Sequence, residues 1–279
     1  MFGKLLKSSL RGLLRRPGNP AGPAAPFPVD ELRALKTLER SPLELHTRML
    51  YGGARIEGIG LLDLFNACVA ESGTMVSPWK TFTRIQGLAH LAHYFLHSLQ
   101  LDGARAECGV FQGLSVLFVC RAVALRCTGF RGAGFHLIDS FEGFPAPGSE
   151  DHISVRLGRG GSASAPAFKQ GDAAASLEHV RRVLQDFPDL HLHRGFIPRV
   201  LSSLPETRWA FVHIDVDLYQ PTLESLEYFW PRMAKGGIII CADYGSTLFP
   251  GARKAWERYC DGNGIAFVVL ATGQSVIIR

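Results

Sequence analysis

No uninterrupted apolar run approaches the roughly 20 residues that a membrane-spanning helix needs. The six cysteines form no Cys-x-x-Cys pair and lie far apart, mostly in apolar surroundings. We therefore expect buried thiols in a reducing cytosol, rather than a disulfide framework or a zinc site. No internal repeat is visible either, so a solenoid or an array of small modules is not indicated.

Basic residues are in excess only at the start of the chain. Residues 1–28 hold five Lys or Arg and no acid, which leaves 25 residues of each sign in the rest of the 279-residue chain. A surface that follows nucleic-acid phosphates needs a basic stripe on the folded domain itself, and none is apparent. The net charge of +5 therefore does not predict a nucleic-acid partner.

The first 28 residues read as a helix followed by a linker. Apolar residues over 1–16 recur at helical spacing with cations opposite, but the continuous apolar core of a signal peptide is missing. Such a basic amphipathic helix could lie on an anionic membrane; the alternative is a frayed or partner-docked tail. Residues 17–28 carry five prolines and two glycines, typical of an extended linker. We expect a cytoplasmic protein, with possible peripheral membrane contact through 1–16.

Residues 29–100 read as a helical extension or lid, with helices over 30–40, 61–71 and 80–99. Three histidines, His90, His93 and His97, share one face of the last helix. That spacing could bind metal, but no Glu or Cys accompanies it. A packed or solvated helix face is the favoured interpretation.

From residue 101 the pattern alternates between strands and helices, which predicts an α/β domain to residue 279 with a seven-stranded, mostly parallel sheet. A long Gly, Ser and Pro-rich insert over 145–171 is expected to be a functional lid or a disordered loop. The predicted strands lie at 104–110, 134–139, 190–193, 210–214, 238–242, 264–270 and 274–278.

Carboxylates follow two of these strands. The strand at 210–214 is followed by Asp215 and Asp217, and the strand at 238–242 by Asp243. A helix over 222–233 between the two strands is long enough for a right-handed crossover, so they should be parallel neighbours. Their acids would then converge on one crevice, where a divalent cation such as Mg²⁺ would relieve the repulsion. Each acid alone could equally be a helix cap or turn former.

The first strand of the domain leads into Glu107-Cys-Gly109 and then Gly113, at the start of a helix. The spacing is not Gly-x-Gly-x-x-Gly, which makes a dinucleotide less favoured than a ligand without a pyrophosphate. Asp139 ends the second strand, and acid-x-Gly with a second-strand acid is typical of S-adenosylmethionine sites. Close helix–strand packing is the alternative reason for the glycines.

Several strings together resemble the macrocin O-methyltransferase type of class I methyltransferases, a Rossmann-like fold. They stand in family order over residues 74–260. The strings are Thr74-Met-Val-Ser-Pro78, Glu107-Cys-Gly-Val110, Asp139-Ser-Phe-Glu-Gly-Phe-Pro145, Asp215-Val-Asp-Leu-Tyr219, Gly236-Gly-Ile-Ile-Ile240, Asp243-Tyr-Gly245 and Gly251-Ala-Arg-Lys-Ala255.

The resemblance implies Mg²⁺-assisted transfer of a methyl group from S-adenosylmethionine to a hydroxyl of a sugar or other glycosylated natural product. It assigns the metal to Asp215 and Asp243 and the general base to Asp217. The implied cofactor residues are Glu107, Gly109, Asp139, Ser140, Gly195 and Phe196.

One position departs from the family pattern: Ala242 stands where a second acid commonly precedes Asp243. His213 is an alternative base, although its place inside a strand favours a core histidine. The predicted partners are a sugar-containing small molecule and further copies of the chain, in the simplest case a dimer.

Two other functions compete with this hypothesis. An NAD-linked sugar oxidoreductase would need the missing Gly-x-Gly-x-x-Gly string and a Tyr-x-x-x-Lys pair. A methyltransferase-like scaffold protein is favoured slightly by Ala242, and the intact Asp-x-Asp string argues against it.

Overall fold

A computed structural model describes residues 55–56, 59–156 and 162–279, all within one compact unit, His46–Arg279. The predicted helices over 1–16 and 30–40 and the linker over 17–28 lie outside the described residues. No helix in the described part has the length and apolarity needed to cross a bilayer.

The described strands, numbered along the chain, are β1 (Arg55–Ile56), β2 (Ile59–Gly60), β3 (Ala104–Cys108), β4 (Phe135–Asp139), β5 (His152–Arg156), β6 (Ser162–Pro166), β7 (His191–Arg194), β8 (Trp209–Ile214), β9 (Met233–Cys241), β10 (Val268–Val269) and β11 (Ser275–Ile278). The helices are α1 (Leu61–Ser72), α2 (Pro78–Ser98), α3 (Leu114–Arg126), α4 (Leu177–Val183), α5 (Tyr219–Phe229) and α6 (Pro250–Gly262).

Seven strands form the central sheet in the order β10-β11-β9-β8-β3-β4-β7. The pairs β3–β4, β3–β8, β4–β7 and β8–β9 are parallel, whereas β11 runs antiparallel to both β9 and β10. The predicted seven-stranded, mostly parallel sheet is therefore confirmed. The carboxyl ends of its parallel strands meet along one edge, where open α/β sheets bind their ligands.

The crossover between β8 and β9 differs from the prediction in its boundaries. Helix α5 begins at Tyr219, three residues before the predicted start, because Pro221 is tolerated in the first turn of a helix. It ends at Phe229, since Pro231 allows only a short 3₁₀ turn before β9 begins at Met233. The predicted helix over 222–233 is thus shifted towards the amino terminus.

Two short hairpins, β1–β2 and β5–β6, lie outside the central sheet. The second falls within the predicted insert over 145–171, where His152–Arg156 pairs antiparallel with Ser162–Pro166. Residue propensities do not indicate this hairpin, because its second strand is built from Ser, Ala and Pro, which rarely form strands.

The sheet is buried on both faces. On one face Phe211, Ile238 and Ile240 pack with helices α1 to α4, and on the other Val212 and Ile239 pack with α5 and α6. This explains why the central strands read as continuous apolar runs rather than alternating ones.

Helices α1 and α2 belong to the same core as the sheet. The ring of Phe95 on α2 lies 4.8 Å from that of Phe135 and 5.4 Å from that of Phe211, measured between centroids. All six cysteines are free and five are buried, as expected for structural thiols.

The histidine face of α2 is partly packed and partly exposed to solvent, as the favoured interpretation predicted. His93 and His97 are exposed to solvent. His90 is half-buried, and its Nδ1 lies 3.1 Å from Oε1 of Gln274.

Candidate active site

A cavity of about 340 Å³ opens at the carboxyl edge of the sheet. It extends from the loops after β4 and β7 to the loops after β8 and β9. Eight of the nine predicted site residues line it: Gly109, Asp139, Ser140, Gly195, Phe196, Asp215, Asp217 and Asp243. The strand order therefore brings together residues that lie more than 130 positions apart in the chain.

Gly109 joins the two halves of this cavity. Its φ of +89° is in the left-handed region, and a Cβ at this position would lie well inside 3.0 Å of the carbonyl oxygen of Asp215. The amide of Asp215 donates a 2.8 Å hydrogen bond to the carbonyl of Cys108. Only glycine allows the loops after β3 and β8 to pack this closely.

Asp139 organises the loops after β3 and β4. Its Oδ2 accepts hydrogen bonds from the amides of Val110 at 2.7 Å and Phe111 at 2.9 Å, and its Oδ1 from the amide of Phe141 at 2.7 Å. Phe111 and Phe141 both have positive φ, which is costly for such residues. A carboxylate has about four acceptor positions, so Asp139 can still accept from a ligand in the cavity.

Glu107 lies behind the cavity wall and does not line it. Its side chain is 1% exposed; Oε1 accepts a 2.5 Å hydrogen bond from the hydroxyl of Ser115, and Oε2 lies 3.1 Å from Nδ1 of His213. Its predicted contact with a cofactor stays a prediction. In this structure its visible role is to hold the buried layer under the cavity.

His213 is the core histidine that the sequence favoured, since it is only 1% exposed inside β8. Burial lowers the pKa of its imidazole, but the Glu107 carboxylate beside it and the charges of Asp215 and Asp243 together raise the pKa above the ordinary value of histidine.

The three strand-end carboxylates meet at one side of the cavity. Asp217 has a φ of +62°, and its amide donates a 3.0 Å hydrogen bond to Oδ2 of Asp243. Burial, followed by the charges of Asp243 and Asp215, raises the pKa of Asp217 well above its usual range. Burial and Asp215 likewise raise the pKa of Asp243 to about 7. These carboxyls are therefore poised to hold protons or a cation.

The donor set for the predicted Mg²⁺ is small. In the described part of the chain, no group of three or more His, Cys, Asp or Glu side chains is arranged to hold a metal ion. Asp215 and Asp243 offer two carboxylates on the cavity wall, and Mg²⁺ commonly takes one or two carboxylates and completes its shell with water and substrate. The residues fit a cation that is shared with a ligand, but not an all-protein metal cage.

Two cations that the sequence did not single out also line the cavity. Lys80 and Arg84 lie one turn apart near the start of α2, and the charge of Arg84 opposes the rise in the pKa of Asp217 and Asp243. Their i, i+4 spacing places both on one helix face, which is the signal that could have identified them.

An aromatic cluster forms part of the cavity wall. The rings of Phe168 and Phe249 stack with centroids 4.8 Å apart, and Phe144 packs edge-on against both. Phe144 and Phe249 line the cavity. Part of the insert over 145–171 is thereby fixed to the loop that precedes α6.

Comparison with known proteins agrees with this architecture. The model of the macrocin O-methyltransferase (TylF) family matches residues 80–272. The chain belongs to the macrocin O-methyltransferase family. The predicted family is thus confirmed, and the matched region contains every predicted site residue.

Curated relatives and solved structures extend the comparison. One relative is the 8-demethyl-8-(2,3-dimethoxy-alpha-L-rhamnosyl)-tetracenomycin-C 4'-O-methyltransferase of Streptomyces olivaceus. It is 34% identical over 60% of this chain and 61% of its own length. Mycinamicin III 3''-O-methyltransferase of Micromonospora griseorubida is 28% identical over 66% of this chain and 70% of its own. The chain thus spans about three fifths of the first relative's length.

Two solved structures show the same fold. The calicheamicin methyltransferase CalS11 is 19% identical with a TM-score of 0.57, over 95% of this chain and 99% of its own. The O-methyltransferase NovP is 19% identical with a TM-score of 0.56, over 85% and 97%. The predicted class I methyltransferase fold is confirmed.

Proposed function

We propose that this family member binds S-adenosylmethionine in the cavity and transfers its methyl group to a hydroxyl of a sugar-containing natural product. The observation that carries the proposal is the division of the cavity. Close-packed backbone and Asp139 form one side, and three clustered carboxylates form the other. The names of the curated relatives, both O-methyltransferases, support the same reaction.

The cofactor would occupy the side formed by β3, β4 and β7. Gly109 would let the cofactor approach the backbone closely. Asp139, with Ser140 beside it, would accept hydrogen bonds from the ribose hydroxyls. Gly195 and Phe196 would lie near the adenine. Glu107 would act on the cofactor through the loop that it supports.

Asp217 would serve as the general base. A hydroxyl is a weak nucleophile until its proton is removed, and a base is most effective when its pKa is near the working pH. Burial and neighbouring charge raise the pKa of Asp217 in that direction. When bound, S-adenosylmethionine would supply the methyl group, and the electrons of its carbon–sulfur bond would go to sulfur as the acceptor oxygen bonds to the methyl carbon. Asp217 would take the proton of the acceptor hydroxyl.

A divalent cation, when bound, would supply positive charge that lowers the pKa of the acceptor hydroxyl. Asp215 and Asp243 would hold it. Treatment with EDTA should then lower methyl transfer at least tenfold, and Mg²⁺ should restore it. Unchanged turnover in EDTA would remove the metal from the proposal.

The base assignment is tested with Asp217→Asn, which keeps size and hydrogen bonding but cannot take the proton. We expect S-adenosylhomocysteine affinity within about twofold of wild type by calorimetry, while turnover falls roughly 10²–10⁴-fold. The rhamnosylated tetracenomycin named for the Streptomyces relative is the first acceptor to assay. The matched control is Asp186→Asn, since Asp186 is exposed and lies outside the cavity.

Calorimetry with NAD separates this proposal from the oxidoreductase alternative. Tight binding of NAD without binding of S-adenosylmethionine would overturn the assignment. The proposed oligomer is measured by light scattering of the full chain. Membrane contact through 1–16 is measured by liposome flotation of the full chain and of a chain lacking those residues.

A further inference from the structure

The insert over 145–171 supplies a buried carboxylate to the loop after β8. Asp151 is only 5% exposed, and its Oδ1 accepts a 2.7 Å hydrogen bond from the amide of Tyr219, which lies 68 positions further along the chain. Its Oδ2 accepts a 2.8 Å hydrogen bond from the amide of Gly148, inside the insert itself. Asp151 therefore ties the insert to the start of α5.

The hydrogen bond to Tyr219 takes the place of a helix cap. Leu218 occupies the N-cap position of α5, where an apolar side chain cannot accept a hydrogen bond from the first amides of the helix. The carboxylate of Asp151 supplies that acceptor, and its negative charge lies at the positive end of the helix dipole. The start of α5 is thus fixed by a residue from outside the helix.

The turn between β8 and α5 is strained at Asp217. Its φ of +62° lies in the left-handed region, which costs free energy in a residue with a Cβ and persists only where neighbouring contacts enforce it. The amide of Asp217 is held by Oδ2 of Asp243 at 3.0 Å, and two residues later the amide of Tyr219 is held by Asp151. The turn is fastened on both sides, so the direction of the Asp217 carboxylate depends on both hydrogen bonds.

Gly251, the second residue of α6, leaves room for this contact. A Cβ at position 251 would lie well inside 3.0 Å of Oδ1 of Asp151, and 2.8 Å from the amide nitrogen of Tyr219. The insert, α5 and α6 therefore meet at one buried carboxylate, and a methyl group at position 251 would displace it. Any movement of Asp151 is passed to the turn that carries Asp217.

We propose that Asp151 is a positioning residue for methyl transfer, because it holds the left-handed turn that directs the Asp217 carboxylate into the cavity. The inference rests on the proposed function, in which Asp217 is the general base, and it adds the residue that keeps the base in place. Asp151 is not among the described residues that line the cavity, so it acts through Asp217. A reacting group displaced by about 1 Å can cost roughly 10²-fold in rate.

A double-mutant cycle separates positioning from a general structural effect. Turnover of the rhamnosylated tetracenomycin is measured for wild type, Asp151→Ala, Asp217→Asn and the double variant. We expect Asp151→Ala to lower kcat roughly 10–10²-fold while the KM for S-adenosylmethionine stays within about twofold. In the Asp217→Asn background the same change should lower kcat less than about twofold, because the base that Asp151 positions is already absent. Asp151→Asn, which can keep one of the two hydrogen bonds, should recover part of kcat.

Glu150→Ala is the matched control for this cycle. Glu150 precedes Asp151 and ties the same insert to α6 through a 2.9 Å ion pair with Lys254, but its side chain is half exposed. Its kcat should stay within about twofold of wild type, since an exposed ion pair contributes little.

Three outcomes of the cycle would overturn the inference: an unchanged kcat in Asp151→Ala, the same loss in both backgrounds, or an equal loss in Glu150→Ala. Wild-type turnover in Asp217→Asn would instead overturn the proposed base, and the inference with it.

Amide hydrogen exchange decides the question even when no acceptor is turned over. The control for lost stability is Arg105→Met, which removes hydrogen bonds to Ser98 and Gly103 near the opposite end of β3. Exchange of the Asp217 amide should accelerate at least about tenfold more in Asp151→Ala than in Arg105→Met, although its own acceptor on Asp243 is intact in both. Equal acceleration in the two variants would mean that Asp151 only stabilises the fold, and the inference would be overturned.

Discussion

Gly109→Ala should destabilise the protein far more than Gly113→Ala, a substitution at a nearby glycine that also has a positive φ. Residue 109 has φ +89°, and its Cβ would lie well inside 3.0 Å of the backbone of Asp215. The alanine therefore faces two costs. Left-handed backbone costs a residue with a Cβ about 1–2 kcal/mol. Forcing two packed strand ends apart costs about 1–3 kcal/mol more.

Gly113→Ala is the matched control, because Gly113 has φ +85° and its Cβ would meet only side chains at 3.7 Å or more. It should carry the backbone cost alone, about 1–2 kcal/mol. For a chain of this size, 1 kcal/mol shifts the melting temperature by about 2–4 °C. We expect a fall of about 4–20 °C for Gly109→Ala against about 2–8 °C for Gly113→Ala.

Differential scanning fluorimetry of both variants, with and without S-adenosylhomocysteine, measures the difference. Gly109 lies where the cofactor is proposed to approach the backbone, so Gly109→Ala should also weaken S-adenosylhomocysteine binding at least tenfold. Equal melting temperatures in the two variants would refute the reasoning, because they would mean that the contact between the loops after β3 and β8 costs nothing to disturb.

Three further predictions concern stability. Burial and two neighbouring histidines lower the pKa of His136 from 6.5 to about 4. The neutral folded ring therefore stabilises the fold fully above pH 6.5, and this contribution, about 2–3 kcal/mol, is lost as pH falls towards 4. Urea unfolding should give wild type a lower free energy of unfolding at pH 5 than at pH 7, and His136→Gln a much smaller difference. The same pH dependence of the free energy of unfolding in both proteins would contradict this prediction. Asp151→Ala should cost about 2 kcal/mol, since Oδ1 of Asp151 accepts a 2.7 Å hydrogen bond from the amide of Tyr219 at the start of α5; Asp151→Asn should lose less in the same urea assay. Arg105→Met should cost about 2 kcal/mol, because its guanidinium donates to the carbonyl oxygens of Ser98 at 2.6 Å and Gly103 at 2.7 Å; Arg105→Lys, which offers fewer donors, should recover only part of this.

The sheet and the carboxylate cluster could be predicted because their signals are local. Each central strand is an apolar run buried on both faces, and an acid after such a strand must lie at the ligand-binding edge. The helical crossover between β8 and β9 makes the two strands parallel neighbours, which places Asp215 and Asp243 at the same end of adjacent strands.

The rest of the site depends on long-range packing. Lys80 and Arg84 line the cavity only because α2 crosses the sheet on the side where the cavity opens. The spacing of apolar residues predicts a helix at this place in the chain, but it does not predict which element the helix packs against. A second cavity, of about 250 Å³, lies between α2 and the turn before β11, and no spacing rule in the sequence predicts such a gap. Glu107 follows the expected motif, yet its side chain bonds Ser115 and lies against His213, because partners in adjacent elements satisfy it.

Helix α2 performs two tasks along its length. Its later turns bring Phe95 against Phe135 and Phe211, whereas its first turns present Lys80 and Arg84 to both cavities. The two ends can therefore diverge independently: substitutions at positions 80 and 84 change the charge of the cavities, while the aromatic packing further along the same helix keeps the protein folded.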